Sequence, residues 1–315
     1  MTIDPYILAA LAEGGLAILP TETVYGLCAD ATQPGAVAAI YAAKGRPSYN
    51  PLIAHVSDVA MARRYGILDD GARRLAKTFW PGPLTLVVPA NPDGKLAPAV
   101  RAGLPTLALR CPRGPIADAA RALDRPLAAP SANLSGKVSA TRLADIRADF
   151  PNIPAIEADA PTVGLESTIA RIDSDAITIL RPGAVLAEDI AACLPGTPVH
   201  VAAADAGIQA PGMMASHYAP RATVRLDVSA PRADETYLAF GPLSADLRST
   251  HFQLSETADL AEAARNLYAG LHTLDAQNPS SIAVAPIPHS GLGIAINDRL
   301  ARAAAPRHGS EPDSI

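Results

Sequence analysis

The sequence predicts an α/β protein built on a mixed sheet, followed by a second, smaller α/β domain. Short apolar runs alternate with short alanine-rich or amphipathic stretches, as they do where strands are interleaved with helices. The chain of 315 residues has 30 prolines, and many lie beside these runs, which is typical of strand ends and turns. Hydrophobic residues make up 49% and charged residues 18%, a composition that favours a large core over disorder.

Individual elements follow from this pattern in order. A helix is predicted over residues 4–13, because Asp4 can cap it and Pro5 can open its first turn. The run 16–28 predicts an apolar strand broken by a polar turn, and Pro34 and Gly45 mark the ends of the next helix. Further expected strands are PLIAHV, LTLVVPA, TLALR and PLAAPSA, with a helix at DDGARRLAKTFW and a hairpin pair at STIARID and ITILRPG.

The alternation of predicted strands and helices stops near residue 200. The run 200–222 is rich in Ala, Pro and Gly and has no clear period, which predicts an extended linker laid across a surface. After it, TVRLDV, TYLAFG, a helix near 257–274, SIAVAPI and a helix near 293–304 predict a small α/β unit. The expected domains are therefore 1–200, a linker over 201–222 and a C-terminal domain over 223–315, with the last ten residues frayed.

Charge and cysteine content exclude several classes of protein. The net charge is −5; residues 1–225 hold 20 basic and 20 acidic residues, and residues 226–315 hold 6 and 11. Neither part resembles a basic nucleic-acid module, and aromatic residues are only 4%. The three cysteines form no CxxC pair, so zinc and a disulfide framework are unsupported. Without a signal-type N-terminus or 18 consecutive apolar residues, a cytoplasmic protein is expected.

The stretch PTETVYGL, residues 20–27, is the first candidate for chemistry. If the segment is extended, Thr21, Thr23 and Tyr25 share one face, and Glu22 and Val24 share the other. A row of three hydroxyl groups can bind a polar small molecule. A strand edge with a wet face explains the same pattern.

The second candidate is KGRPSYNPLIAHV, residues 44–56. Lys44 in the last turn of a helix and Gly45 just after it are an ordinary helix end. That account leaves Arg46 and His55 unexplained. Two cations beyond a helix end can hold phosphates, with Arg as a bidentate fork, although His55 alone also fits a buried core histidine.

Later turns add polar groups without a decisive motif. PSANLSGKVSAT, residues 130–141, is dense in hydroxyls around Gly136 and suits either an anion or nucleoside cradle or a plain polar loop. Arg110 ends a strand, and GLESTIA and Arg181-Pro182-Gly183 each pass as turns. No Walker-type GxxxxGK[ST] occurs, and GLGIAI, residues 291–296, lacks the third glycine of a dinucleotide fingerprint.

None of these stretches is specific alone, but their order along the chain resembles that of a known family. PTETVYGL, KGRPSYNPLIAHV, FWPGPLTLV, LALRCP, APSANLSGKVSAT, GLESTI and LRPG together resemble the threonylcarbamoyl-AMP synthase family, whose catalytic domain is called YrdC-like. The similarity covers about residues 5–200, and APGMMASHYAP and GLGIAINDRLARAA resemble the linker and C-terminal domain of its longer members. The resemblance implies a twisted mixed α/β sheet around a large concave cavity, plus a small Rossmann-like α/β domain.

The resemblance also implies an activity. L-threonine, bicarbonate and ATP would give threonylcarbamoyl-AMP and pyrophosphate, for threonylcarbamoyladenosine modification of tRNA next to the anticodon. Mg²⁺ would accompany ATP, and downstream proteins would transfer the threonylcarbamoyl group. No stable nucleic-acid binding and no membrane association are expected. Two alternatives stay open: a double-stranded RNA-binding module, and a carbamoyl-transfer enzyme related to a hydrogenase-maturation protein.

Site residues follow from the resemblance as hypotheses. Lys44 and Arg46 are expected to be exposed and catalytic, and to hold the triphosphate. The threonine and carbamate end is assigned to Thr21, Thr23, Tyr25, His55, Arg110 and Ser167. The nucleotide is assigned to Lys44, Arg46, Asn50, Thr106, Ser131, Asn133, Ser139, Arg181 and Tyr218, and no protein metal ligand is predicted. The linker is expected to fold over the cavity, with His217 or Tyr218 reaching inward.

Overall fold

A computed structural model describes residues 3–173, 175–203, 207–243 and 249–306. The chain divides into two compact units, the first formed by 1–135 and 139–213 and the second by 136–138 and 214–315. The change of unit after Met213 falls inside the segment predicted as a linker. The tail expected to fray lies outside the described residues, apart from Pro306.

The first unit contains a nine-stranded mixed sheet. Its strands are β1 (Ala17–Leu19), β2 (Gly26–Asp30), β3 (Ile53–His55), β4 (Leu84–Pro89), β5 (Thr106–Arg110), β6 (Leu127–Ala128), β7 (Thr168–Ile172), β8 (Ile177–Arg181) and β9 (Val199–Val201). They lie in the order β1-β2-β6-β3-β5-β4-β7-β8-β9. Parallel pairs β3–β5, β4–β7 and β8–β9 alternate with antiparallel pairs, which confirms the mixed sheet that the sequence predicts.

Helices pack against the sheet of the first unit, most of them on one face. They are α1 (Pro5–Ala12), α2 (Pro34–Lys44), α3 (Val59–Tyr65), α4 (Asp70–Phe79), α5 (Pro115–Leu123), α6 (Leu143–Arg147) and α7 (Ala187–Cys193), with a 3-10 turn at Pro98–Arg101. Side chains from α1, α2 and α4, such as Leu11, Ile40 and Leu75, pack with strand residues such as Leu86 and Leu109 in one large core. Burial of this kind of apolar surface is the main force that holds the helices to the sheet.

The helix ends follow the sequence signals. Asp4 accepts the backbone N–H of Tyr6 at 2.8 Å and so caps α1, as predicted. Gly45 has φ of 57°, a left-handed conformation that ends α2 and lets the N–H of Arg46 reach the carbonyl of Tyr41 at 3.0 Å. The chain therefore leaves α2 in a fixed direction, which places Arg46 next to the start of β3.

The stretch PTETVYGL forms the polar turn that the sequence predicts between two strand segments. It is not extended, so the alternative with Thr21, Thr23 and Tyr25 in a row on one strand face is wrong. Residues 20–25 form a bend between β1 and β2. Thr21 Oγ1 accepts the N–H groups of Thr23 and Val24 at 3.1 and 3.2 Å, and it lies 2.8 Å from Thr23 Oγ1. A threonine that satisfies nearby backbone groups in this way favours a turn over a strand.

The sheet face away from the helices is partly covered by the end of the predicted linker. Strand residues Ile53, Val87, Ala108, Ile169 and Leu180 form a separate apolar cluster with Ala210, and Ala202 and Met213 pack against it. Arg181 also donates to the carbonyl of Pro211 at 3.3 Å. This part of the linker is therefore laid across a surface of the first unit, as the sequence predicts.

The second unit is a small parallel α/β fold. Its strands are β10 (Thr223–Arg225), β11 (Thr236–Ala239), β12 (His251–Gln253) and β13 (Ser281–Val284), in the order β10-β13-β11-β12, and its helices are α8 (Leu260–Asp275) and α9 (Leu292–Ala304). All three strand pairs are parallel, as in the predicted Rossmann-like domain. A Cβ on Gly293 would lie 1.9 Å from the carbonyl oxygen of Pro288, so close packing accounts for this glycine of GLGIAI.

Among the described residues, no helix combines the length and the apolar character that crossing a bilayer requires.

Candidate functional site

Polar side chains gather on the sheet face that lies away from the helical core. Side chains two residues apart in a strand share a face, so His55 follows Ile53, Arg110 follows Ala108 and Thr85 precedes Val87 on this face. The register confirms it, because His55 pairs with Arg110 and Val87 with Ala108. Parallel pairing of β3 with β5 therefore brings together two basic side chains that are far apart in sequence.

Arg110 contacts three other residues at the end of β5. Its Nη2 donates to Thr23 Oγ1 at 3.0 Å and lies 2.9 Å from Glu22 Oε1, and its Nε donates to the carbonyl of Gly82 at 3.2 Å. The guanidinium group is buried, with 4% of the residue exposed. The bend of PTETVYGL thus supplies both a hydroxyl and a carboxylate to the end of β5.

His55 is buried beside Arg110 and is uncharged at neutral pH. Burial, together with the neighbouring charge of Arg110, lowers the pKa of His55 to about 3. Its Nδ1 atom is buried and has no hydrogen-bond partner among the described residues. The imidazole can therefore offer a hydrogen bond to a ligand but cannot add positive charge.

Lys44 and Arg46 are buried, so the expectation that both are exposed is wrong. Lys44 is 3% exposed and Arg46 8%. Lys44 Nζ donates to the carbonyl of Ser131 at 2.6 Å and to that of Asn133. Burial, with the nearby charge of Arg46, lowers the pKa of Lys44 well below its usual range. Both residues were expected on a free helix end, whereas a loop formed some 90 residues later in the chain covers Lys44.

Arg46 is fixed to the segment that precedes β3. Its Nη2 donates to Asn50 Oδ1 at 2.7 Å and to the carbonyl of Pro51 at 2.6 Å, and its Nε donates to the carbonyl of Asn50 at 3.0 Å. Asn50 is itself fully buried. The predicted neighbours Arg46 and Asn50 are therefore in direct contact.

The hydroxyl-rich loop 130–141 lies along β2. The N–H of Leu27 donates to the carbonyl of Pro130 at 2.8 Å, and the N–H of Ala132 donates to that of Tyr25. Ser139 Oγ donates to Glu166 Oε1 at 2.5 Å, which ties this loop to the GLESTIA turn. Asn133 and Ser139 are buried. The structure thus joins three of the motifs: PTETVYGL, PSANLSGKVSAT and GLESTIA.

Ser167 and Arg181 form a second polar group on the same face. Ser167 Oγ lies 2.7 Å from Thr85 Oγ1, and Arg181 Nη2 donates to the carbonyl and the hydroxyl of Ser167 at 2.9 and 3.2 Å. The pairing of β7 with β8 contains a β-bulge next to the pair Ile169–Arg181. At this bulge the side chain of Arg181 contacts Ser167. A Cβ on Gly183 would lie 2.4 Å from the N of Thr168, so only glycine allows LRPG to approach this turn.

Two predicted residues lie apart from these groups, and a third belongs to the second unit. Tyr25 is buried in an apolar cluster with Leu27 and Phe150, and its hydroxyl accepts the N–H of Ala158 at 2.9 Å. Thr106 pairs with Pro89 at the end of β5 remote from Arg110. Tyr218 belongs to the second unit, where its ring lies 5.8 Å from that of Tyr268 and beneath the guanidinium group of Arg299.

Three further polar residues belong to the site and were not predicted: Glu22, Thr85 and Glu166. Each is buried with a polar partner on a predicted residue, namely Arg110, Ser167 and Ser139 respectively. The signal for the two glutamates was their position inside motifs that were already selected, PTET and GLEST. Thr85 carried no signal, since a threonine in the apolar strand LTLVV is ordinary.

No group of three or more His, Cys, Asp or Glu side chains in the described part of the chain is arranged to hold a metal ion. The candidate site residues instead include three buried arginines and a buried lysine, each in contact with carboxylates, hydroxyls, side-chain amides or backbone carbonyls. Fixed cations of this kind stabilise anionic ligands without needing to reorganise.

Comparison with known proteins shows the family of this chain. A family model described as "Telomere recombination", which covers the Sua5, YciO and YrdC proteins, matches residues 9–183. A second model, "Threonylcarbamoyl-AMP synthase, C-terminal domain", matches residues 185–305. The threonylcarbamoyl-AMP synthase of Bacillus subtilis is 37% identical over 97% of this chain and 95% of its own length.

Solved structures give the same result. The crystal structure of Pyrococcus abyssi Sua5 complexed with L-threonine matches with a TM-score of 0.85 and 34% identity, over 96% of each chain. Full-length HypF in its phosphate- and nucleotide-bound form matches 56% of this chain at 20% identity and a TM-score of 0.50, which shows a shared fold alone. Both domains and nearly the full length are therefore accounted for, and the chain belongs to the threonylcarbamoyl-AMP synthase family.

Proposed function

We propose that this protein is an L-threonylcarbamoyladenylate synthase, a nucleotidyltransferase that makes threonylcarbamoyl-AMP and pyrophosphate from L-threonine, bicarbonate and ATP. The observation that carries the proposal is the set of buried cations among the candidate site residues, in a chain 34% identical to a protein whose structure contains L-threonine. The reaction has two anionic substrates and builds charge on phosphate oxygens, so fixed cations are the groups that it needs most.

The first step joins threonine to the carbon of bicarbonate. The threonine amine attacks that carbon and water leaves, which gives a carbamate. Arg110 is suited to the threonine carboxylate, because a guanidinium group matches a carboxylate geometrically. Ser167 and the Thr21–Thr23 pair would bind the polar groups around it, and the neutral imidazole of His55 would add a hydrogen bond. Tyr25 would act indirectly, since its hydroxyl is engaged by the backbone of Ala158.

The second step transfers the adenylyl group. A carbamate oxygen attacks the α-phosphorus of ATP, and pyrophosphate leaves. Arg46, held by Asn50, and Lys44 are proposed to stabilise the charge on the phosphates. Lys44 also holds the loop of Ser131 and Asn133 through two carbonyls, so it would shape the nucleotide site as well as contribute to it.

The remaining predicted nucleotide residues of the first unit are proposed to bind the AMP part of ATP: Thr106, Ser139 and Arg181. Mg²⁺ is proposed to arrive with ATP and to be held by its phosphates, which is how this ion commonly binds. The carbamate and the mixed anhydride both hydrolyse readily, so the site has to exclude water. A segment that already lies on the sheet face, residues 207–213, is in a suitable place to do so.

The product, threonylcarbamoyl-AMP, is a reactive anhydride, so another reaction has to use it before it hydrolyses. We propose that separate transfer proteins carry the threonylcarbamoyl group to tRNA, at the adenosine next to the anticodon. Residues 1–225 have no net charge, so stable binding of bare RNA by this chain is not expected.

Pyrophosphate release from ATP tests the proposal. Release should require L-threonine and bicarbonate together, and mass spectrometry should detect threonylcarbamoyl-AMP. Release that is unchanged when threonine is left out would remove the proposed substrate. A salt-dependent gel shift with bare double-stranded RNA, without pyrophosphate release, would favour an RNA-binding module instead.

A further inference from the structure

Glu22 is a buried acid in the middle of the site, and the proposed mechanism gives it no role. It lies in the bend of PTETVYGL with 8% of the residue exposed. Its Oε2 accepts the backbone N–H of Arg113 at 3.0 Å. Its Oε1 lies 2.9 Å from Arg110 Nη2, but this ion pair lacks hydrogen-bond geometry, so Oε1 is a buried carboxylate oxygen without a hydrogen-bond donor among the described residues.

Arg110 has a hydrogen-bond donor without an acceptor among the described residues. Its Nη2 and Nε are engaged by Thr23 and Gly82, while its Nη1 has no hydrogen-bond acceptor in the described part of the chain. A buried acceptor such as Glu22 Oε1 nearly always has a donor, and one that lacks a donor often belongs to a ligand site. The pair therefore offers one unsatisfied acceptor and one unsatisfied donor, beside the hydroxyls of Thr21 and Thr23.

A zwitterion fits this pair better than a simple anion does. Glu22 and Arg110 together carry no net charge. A carboxylic acid without an amine would bring an uncompensated negative charge close to Glu22, and burying such a charge is costly. An amino acid brings an ammonium group for Glu22 and a carboxylate for Arg110, so the unsatisfied acceptor and the unsatisfied donor both gain partners and the charges stay balanced.

We propose that Glu22 receives the α-ammonium group of the incoming substrate through Oε1, before that group loses a proton to become the attacking amine, and thereby selects amino acids over hydroxy acids of the same shape. This inference rests on the proposed function, because it concerns the threonine end of that site. It differs from a purely structural role, in which Glu22 would only hold Arg110 in place. A structural role predicts equal losses for every carboxylate ligand, with or without an amine.

The wild-type protein provides the first test. Calorimetric titration with L-threonine and with 3-hydroxybutyrate, which is threonine without its amine, should give at least tenfold weaker binding of the hydroxy acid. Equal affinities would overturn the inference while leaving threonine a substrate. If L-threonine itself fails to bind, the proposed function fails instead, so the two failures are distinguishable. This test needs no variant and stands even if substitutions at Glu22 prevent folding.

The second test uses Glu22→Gln, which keeps the shape of the side chain and removes its charge. Affinity for L-threonine should fall roughly ten- to hundredfold, the range for loss of a hydrogen bond to a charged group. Affinity for 3-hydroxybutyrate should stay the same or increase, because the charge of Arg110 is no longer neutralised. Affinities that fall by the same factor for both ligands, or for neither, would overturn the inference.

Two controls accompany the variant. Glu13→Gln, at an exposed position that follows α1, should bind both ligands like the wild type. ATP binding by Glu22→Gln should match the wild type, which checks that the rest of the site is intact.

Discussion

Arg181 holds the backbone and the side chain of Ser167 at once. Its Nη2 donates to the carbonyl of Ser167 at 2.9 Å and to the hydroxyl at 3.2 Å, while Nη1 reaches the carbonyl of Pro211. One buried side chain therefore fixes both the GLESTIA turn and the segment that crosses the sheet face. This double role means that stability and activity should change together when Arg181 is replaced.

We expect Arg181→Gln to lower the free energy of unfolding of the first unit by about 2–4 kcal/mol, because it leaves buried carbonyls without donors. The single tryptophan, Trp80, lies in this unit, so urea unfolding followed by its fluorescence reports on it. Arg265→Ala on the exposed side of α8 is the control, with an expected change under about 0.5 kcal/mol. Wild-type stability in Arg181→Gln would contradict the role given to this side chain.

Gly183→Ala should destabilise the first unit by about 3 kcal/mol. The added Cβ would lie 2.4 Å from the N of Thr168 and 2.7 Å from the carbonyl oxygen of Glu166, and backbone atoms cannot yield as a side chain can. Tryptophan fluorescence during urea unfolding measures the effect. Gly35→Ala in the first turn of α2 meets nothing within 4 Å and should stabilise slightly, by about 0.5–1 kcal/mol. Equal effects of the two alanines would show that the close approach at Gly183 is unimportant.

His55 should make the first unit sensitive to mild acid. Its pKa is about 3 in the folded protein and near 6.5 when unfolded, so between these values only the unfolded chain binds the proton. The stability that neutral His55 provides is complete above pH 6.5 and is lost as the pH falls toward 3, by at most about 1.4 kcal/mol per pH unit.

The matched variant is His55→Asn, which does not titrate. Its free energy of unfolding should lie below that of the wild type at pH 7, and the gap should narrow at pH 6 and 5. Urea unfolding at each pH measures the gap. A difference that stays constant from pH 7 to pH 5 would mean that His55 is not the group responsible.

Lys44→Met should remove most pyrophosphate release and also lower the free energy of unfolding by about 1–3 kcal/mol. The methionine can fill the space of the lysine stem, but the carbonyls of Ser131 and Asn133 lose their donor. Turnover and urea unfolding should be measured on the same preparation. Lys77→Met, on the exposed surface of α4, should leave both close to wild type. Full turnover in Lys44→Met would exclude Lys44 from the site.

Local patterns predicted most elements of the fold. The strand TLALR was predicted over Thr106–Arg110, where the structure has it, and the helix from Pro34 ends before Gly45 as predicted. These cases depend on periodicity and on residues with restricted backbone conformations, both of which are visible in a short window. Helices α3, α5, α6 and α7 were not predicted; each has at most nine residues, so a local pattern has few turns in which to repeat.

The site was less predictable, because it depends on which distant segments meet. The sequence selected His55 and Arg110 separately, but only the pairing of β3 with β5 makes them neighbours. The burial of Lys44 depends on a loop near residue 131 that no local pattern connects to α2. The polar turn at Thr21 was predicted, but its hydrogen bonds were not, because no sequence pattern shows which N–H groups the Thr21 hydroxyl accepts.

The alternating sides of β3, β4, β5 and β7 have an evolutionary consequence. Each of these strands turns one set of side chains toward the helices and the other set toward the candidate site. Inserting or deleting a single residue within one of these strands would exchange the two sets of side chains. In β5, Arg110 would then point into the hydrophobic core, and a leucine would point toward the candidate site. The same alternation of side chains along these strands thus determines both the hydrophobic core and the candidate site. Insertions and deletions in related sequences should therefore be confined to the connections between strands.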